Sequence, residues 1–193
     1  MTERYVGRKF KTKFIPEGNL NKKIIAEIIR YCRLLDRKGL TRDKTGNVSV
    51  RVSNSILITA GGMDLGNLGE FDIVNVRNYN KENNTVIVAG DKEPSSETIM
   101  HWLIYQNYPK VNAVVHVHDP LILDKIEIAE VMGLGITEHE EPYGTLELAE
   151  QVLNVLKKSN YVVLRNHGSV AVGKNLKEAV NLILMIHDES KNQ

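Results

Sequence analysis

His116 and His118 stand two residues apart in Ala113-Val-Val-His-Val-His-Asp-Pro120. Ala113 to Val117 reads as a buried strand, and residues two apart on a strand project to the same face. Both imidazoles therefore leave one rigid element together, as a transition-metal ion requires of two of its ligands. A third imidazole, His167, lies in Arg165-Asn-His-Gly168 after the apolar run Tyr161 to Leu164, and a carboxylate, Glu97, stands in Pro94-Ser-Ser-Glu-Thr98. Three His and a Glu describe a catalytic metal site that keeps a position open for substrate. Each piece also has an ordinary reading: His-x-His occurs as a pair of core histidines, and His-Gly is common turn chemistry. Their joint occurrence beside strand ends favours the metal.

A second group of residues suits an anion. Gly46 and Asn47 precede a strand, and Gly61 and Gly62 follow one; glycines there let backbone N–H groups approach a ligand closely. Ser95 and Ser96 fall where the helix carrying Glu97 is expected to begin, so hydroxyls and free N–H groups would face outward with the positive end of the helix dipole. That is a phosphate cradle. Taken singly, Gly-Asn and Gly-Gly are turn residues and Pro-Ser-Ser is a helix cap.

The elements that must position these residues follow from periodicity. Asn21 to Lys38 is helical, with Ile24, Ile25, Ile28, Ile29, Cys32 and Leu35 on one stripe and Gly39 as the stop. Val48, Val50 and Val52 alternate with polar residues, and a turn at Asn54-Ser55 leads into Ile56 to Thr59, a hairpin. Asp72 to Val76 and Thr85 to Val88 are further strands. Ser96 to Gln106 and Thr145 to Lys158 are helices, Tyr161 to Leu164 and Ser169 to Val172 a strand pair, and Asn175-x-x-Glu178 a capping box that starts the last helix. Short strands joined by turns, with helices between groups, give an α/β fold: one domain with a central, mainly antiparallel sheet flanked by helices. Residues 21–193 form that domain. Residues 1–20, with Arg4, Arg8, Lys9, Lys11 and Lys13, read as a basic, flexible arm.

Composition narrows the function classes. A chain of 193 residues with 42% hydrophobic and 25% charged residues is an ordinary globular protein. A formal net charge of +1 makes no general case for nucleic acid or an anionic membrane as partner. The single cysteine, Cys32, cannot form an internal disulfide, and no apolar run approaches the length of a membrane span. A cytoplasmic location is the expectation.

The ordered motifs Gly46-Asn-Val-Ser-Val-Arg51, Ile56-Leu-Ile-Thr59, Asp72-Ile-Val74, Pro94-Ser-Ser-Glu97, His101, Ala113-Val-Val-His-x-His118 and Asn166-His-Gly168 resemble the class II aldolase/adducin family, from about Ile24 to Ile186. The resemblance implies that His116, His118 and His167 are zinc ligands, and that Glu97 is the acid/base and binds the metal when substrate is absent. It places the substrate phosphate on Gly46, Asn47, Gly61, Gly62, Ser95 and Ser96. Gly61 stands where the family usually has Ser or Thr, so one side-chain donor is missing. The family assembles as a homotetramer with active sites between subunits, and its aldolases use a tyrosine on the C4 oxygen. Pro120 to Glu141 contains no tyrosine. Tyr143 is the nearest candidate, and packing under the following helix is its other reading.

The implied reaction is retro-aldol cleavage of a ketose 1-phosphate to dihydroxyacetone phosphate and a small aldehyde such as lactaldehyde. Two alternatives stay open. One is another zinc-dependent sugar-phosphate reaction on the same scaffold, a 4-epimerisation or a dehydration. The other is a non-catalytic interaction module like the adducin head, which would have eroded ligands.

Overall fold

Asn21 caps the first long helix as its sequence position suggests: its side chain accepts from the backbone N–H groups of Lys23 and Ile24, meeting two of the donors a helix start leaves open. The computed structural model describes residues 7–16, 18 and 21–193. In chain order these form β1 (Lys11–Ile15), α1 (Lys22–Arg37), β2 (Asn47–Val52), β3 (Ser55–Thr59), β4 (Ile73–Asn80), β5 (Thr85–Ala89), α2 (Thr98–Asn107), β6 (Ala113–Val117), α3 (Pro120–Leu123), α4 (Ile126–Val131), β7 (Gly135–Ile136), α5 (Leu146–Leu156), β8 (Tyr161–Leu164), β9 (Gly168–Gly173) and α6 (Leu176–Ser190), with three short 3-10 turns between.

The strands make one sheet in the order β1-β5-β4-β3-β2-β6-β9-β8-β7. Only the outer pairs, β1–β5 and β7–β8, run parallel; the inner pairs are antiparallel. The expected α/β sheet flanked by helices is thus what forms. Strand alternation divides the core in two. Ala113, Val115 and Val117 of β6 face the layer of α1, α3, α4 and α6, whereas Val114 faces α2 and α5. His116 follows Val114 in period and looks toward α2. No helix among the described residues is long and apolar enough to cross a membrane.

The N-terminal segment departs from expectation. Lys11–Ile15, assigned to a flexible arm, is an edge strand in parallel register with Thr85–Ala89. Lys11, Lys13 and Phe14 are exposed, so no apolar alternation marks it in the sequence. The free edge of β5 decides the matter, because its backbone N–H and C=O groups need partners. Arg4 lies outside the described residues.

Candidate metal centre

β2, β6 and β9 are adjacent at the middle of the sheet, and register does the first part of the assembly. Asn47 opposes His116, and His116 opposes Val170. His118 leaves the end of β6 on the same face, as the two-residue spacing requires. His167 comes from the tight β8–β9 connection, where Asn166 takes a left-handed conformation (φ 56°) and the His167 N–H donates to the Leu164 carbonyl at 3.1 Å. Gly168 is obligatory there: a Cβ on it would lie 2.5 Å from the Val117 carbonyl oxygen and 2.7 Å from His116 Cε1. Gly46 is pinned similarly, with φ 78° and 2.7 Å between a would-be Cβ and the His116 carbonyl oxygen.

The result is a cluster whose ligand atoms on His116, His118 and His167 all lie within 4.8 Å of one another. His116 Nε2 is 3.1 Å from His118 Nε2 and 3.1 Å from Glu97 Oε2. Glu97 Oε1 is 3.3 Å from His167 Nε2 but in no hydrogen-bond alignment. His116 Nδ1 sits 3.1 Å from the Ser169 carbonyl; that carbonyl can only accept, so Nδ1 carries the proton and the Nε2 lone pair faces the cluster. Burial holds His116 neutral, far below the usual imidazole range, helped by the neighbouring His167 and His101. His118 is pushed down to about 3, by burial first and then by His116 and His167. Neutral imidazole nitrogens crowded against a buried carboxylate repel one another unless a cation joins them. The donor set therefore fits a divalent metal.

Glu97 is placed from two sides. It sits at the N-cap of α2, where its N–H reaches Ser95 Oγ at 3.3 Å. From β2, Asn47 Nδ2 donates to Glu97 Oε2 at 2.7 Å. The helix begins at Thr98 rather than Ser96, and Ser95 and Ser96 occupy the turn before it. The Ser95 N–H donates to the Thr59 carbonyl, so this donor is not directed outward. Gly61 and Gly62 follow β3 beside Pro94, through the Ala60–Pro94 bridge, and Gly62 has φ 73° with open space where a Cβ would stand. Of the six anion-site candidates, Asn47 and Ser95 bond Glu97 directly and Ser96 adjoins it in the chain, while Gly46 packs on His116 and Gly61 on Pro94. The Tyr143 hydroxyl donates to the Gly7 carbonyl at 3.0 Å, and Lys9 lies over its ring.

Sequence reasoning passed over the layer beneath Glu97. Ser49 Oγ is hydrogen-bonded to His101 Nδ1 at 2.7 Å and to the Tyr105 hydroxyl at 2.8 Å, all three buried. Arg51 donates to the carbonyls of Tyr105, Tyr108 and Val111. Asn47, Ser49 and Arg51 thus face Glu97, His101 and Tyr105 in matched steps. A two-residue step on a strand is about 6.7 Å, and a four-residue step on a helix about 6 Å. On the other side of the sheet Asp119, directly after His118, accepts from His187 of α6 at 2.8 Å and from the Leu121 N–H, which fixes where β6 ends.

The chain is similar to known proteins along most of its length. Residues 26–193 match the family described as class II aldolase and adducin N-terminal domain. An L-fuculose phosphate aldolase of Methanococcus maripaludis is 36% identical over 166 residues, covering 80% of this chain and 87% of that one. That of Escherichia coli K12 is 33% identical over 171 residues, with 82% and 76% covered. A solved L-fuculose 1-phosphate aldolase superposes with a TM-score of 0.75 at 27% identity, over 89% of this chain and 85% of that one. A solved Escherichia coli protein titled a putative aldolase/epimerase/decarboxylase shares the fold at 22% identity and a TM-score of 0.73, with 88% and 87% covered. Class II aldolases use a divalent metal, and the histidine cluster is where this chain could hold one. The chain belongs to the class II aldolase and adducin N-terminal domain family, and within it is an enzyme of the aldolase class, a carbon–carbon lyase.

Proposed function

We propose that the protein cleaves a ketose 1-phosphate of the L-fuculose 1-phosphate type between C3 and C4, with zinc held by His116, His118, His167 and, before substrate enters, Glu97. The products are dihydroxyacetone phosphate and a small aldehyde such as lactaldehyde. The observation that carries the reading is the buried Glu97 carboxylate set between His116 and His167 and held by Asn47. A bound zinc ion supplies Lewis-acid stabilisation of the negative charge that cleavage leaves on the three-carbon fragment.

The chain's own residues do the rest. As the C3–C4 bond breaks, the bonding electrons pass into a C2–C3 enediolate and the C4 hydroxyl proton passes to water, from which Glu97 draws the proton it then gives to C3. Glu97 delivers a proton to C3, and removes it in the condensation direction. Gly46, Asn47, Gly61, Gly62, Ser95 and Ser96 hold the phosphate, which fixes C3 relative to Glu97 and turns binding energy into orientation. Asn47 links the two halves of the site because its amide already bonds Glu97. Tyr143, with its hydroxyl on the Gly7 carbonyl, serves the N-terminal segment in this account. The working form is a homotetramer, following the family resemblance.

The test is a product assay. Zinc-loaded protein is given L-fuculose 1-phosphate, other ketose 1-phosphates and a pentulose 5-phosphate. Dihydroxyacetone phosphate and lactaldehyde from the first is the expected result. An epimer or a dehydrated sugar phosphate, with no dihydroxyacetone phosphate from any substrate, refutes it.

A further inference from the structure

Gly61 packs closely against the N-terminal segment. A methyl group placed on it would lie 3.1 Å from Arg8 Nη1 and 3.0 Å from the Pro94 carbonyl oxygen. The Arg8 guanidinium therefore sits where a side chain at position 61 would project, and a serine or threonine there would compete with it for space. Arg8 is held in place. Its Nε lies 3.3 Å from Glu93 Oε2, the carboxylate oxygen that also takes the Thr12 hydroxyl. The residues on either side of Arg8 are fastened by one tyrosine: Tyr143 donates to the Gly7 carbonyl at 3.0 Å, and the Lys9 ammonium stands 4.9 Å from its ring centre. Gly144 in turn abuts Ser96, whose carbonyl oxygen would be 2.7 Å from a Cβ at Gly144. One anchor, Glu93, thus belongs to the turn that borders the anion site, and the other, Tyr143, is followed by a glycine packed on that turn.

We propose that Arg8 is the phosphate-binding cation of this site, brought from the N-terminal segment into the space Gly61 leaves open. The inference rests on the phosphate reading of the Gly61–Gly62 and Ser95–Ser96 turns. The donors of those turns are neutral, and Glu93 and Glu97 add negative charge beside them. A phosphate dianion seated there needs a positive group, and a guanidinium offers parallel N–H donors that match two phosphate oxygens. Glu93 takes Nε, which leaves the Nη1 edge turned toward Gly61. Lys92, the nearest lysine in sequence, is engaged with Asp72 at 2.6 Å. In this arrangement Glu93 and Tyr143 are positioning residues that act through Arg8. The competing role for Arg8 is as an ion-pair partner of Glu93 alone, and a partly exposed pair of that kind contributes little to stability.

Calorimetric titration with inorganic phosphate separates the two without depending on turnover. Wild type, Arg8→Gln, Arg8→Lys and Ser95→Ala are compared as purified full-length protein, with thermal melting as the folding control. Arg8→Gln is expected to weaken phosphate binding on the order of tenfold to a hundredfold, the loss typical of a hydrogen bond to a charged group. KM for the ketose 1-phosphate should rise in parallel. Arg8→Lys keeps the charge but loses the planar fork, so a smaller loss is expected, and this variant carries the readout if Arg8→Gln fails to fold. Unchanged phosphate binding in both Arg8 variants, with weakened binding in Ser95→Ala, overturns the assignment of Arg8 and leaves the site standing. Absence of phosphate binding in the wild type overturns the phosphate reading, and Arg8 with it.

Discussion

Asn47→Ala tests how Glu97 is held. The amide donates at 2.7 Å to Glu97 Oε2, and Asn47 and Glu97 are 4% and 5% exposed. Water cannot readily replace the lost donor at such a site. A hydrogen bond to a charged group contributes about 1.5–3 kcal/mol, which corresponds to roughly tenfold to a hundredfold in rate if it is needed to aim the carboxylate. Folding should suffer less. The Asn47 Oδ1 atom is itself buried without a partner, so the substitution removes one satisfied and one unsatisfied group together. A loss within about 1 kcal/mol, or roughly 2–4 °C in melting temperature for a chain of this length, is expected. The assay is steady-state cleavage of the ketose 1-phosphate, with inorganic phosphate as inhibitor. The kcat should fall by that factor while zinc content holds. Intact kcat with weakened phosphate inhibition would make Asn47 an anion ligand only, with no part in aiming Glu97.

Glu97→Gln keeps the volume and can still accept from Asn47, but cannot carry a proton; turnover should drop on the order of 10²–10⁴-fold with phosphate binding retained, and near-normal turnover would remove Glu97 from the chemistry. Ser49→Ala strands two buried polar groups, His101 Nδ1 and the Tyr105 hydroxyl, at about 1–3 kcal/mol each. Equilibrium denaturation should show a clear loss, and an unchanged midpoint would mean the seam under α2 contributes little. Burial lowers His101 from 6.5 to about 4, so the folded state keeps it neutral where the unfolded state binds a proton. Its share of stability is present above pH 6.5 and is lost as pH falls from 6.5 toward 4. Relative to wild type, His101→Asn should flatten the stability–pH curve in that window; an equal slope in both proteins would argue against it.

Much of the site was legible because it depends on short-range geometry. The His116–His118 spacing fixes a common face, the Asn166-His-Gly168 turn admits no side chain at its glycine, and Glu97 precedes the apolar run of a helix. The long helices were legible from their 3.6-residue stripes. β1 was not, because its pairing is decided by the free edge of β5 rather than by its own residues, and the two-residue β7 is too short to leave a pattern. The seam beneath Glu97 hid for another reason. Asn47, Ser49 and Arg51 alternate with Val48, Val50 and Val52, and alternation gives the period of a strand without saying whether its polar face meets water or another element. The available signal was on α2, where Glu97, His101 and Tyr105 repeat every fourth residue and so present a matching polar column. The contact of Tyr143 with Gly7 joins parts of the chain 136 residues apart, and that of Arg8 with Glu93 is also distant in sequence, beyond anything local pattern reports.

Whether the three histidines hold a catalytic metal can be measured on the metal itself. The purified protein is stripped with a chelator, reloaded with zinc, and assayed for bound metal and for dihydroxyacetone phosphate release, beside His116→Ala and His167→Ala. About one zinc ion per chain is expected, at a single site of His116, His118 and His167 that Glu97 completes until substrate enters. Cleavage should vanish on stripping and return on reloading, and both histidine variants should have lost tight binding. Cleavage that persists in the stripped protein, or folded wild-type protein that takes up no zinc, would contradict a catalytic metal at the three histidines.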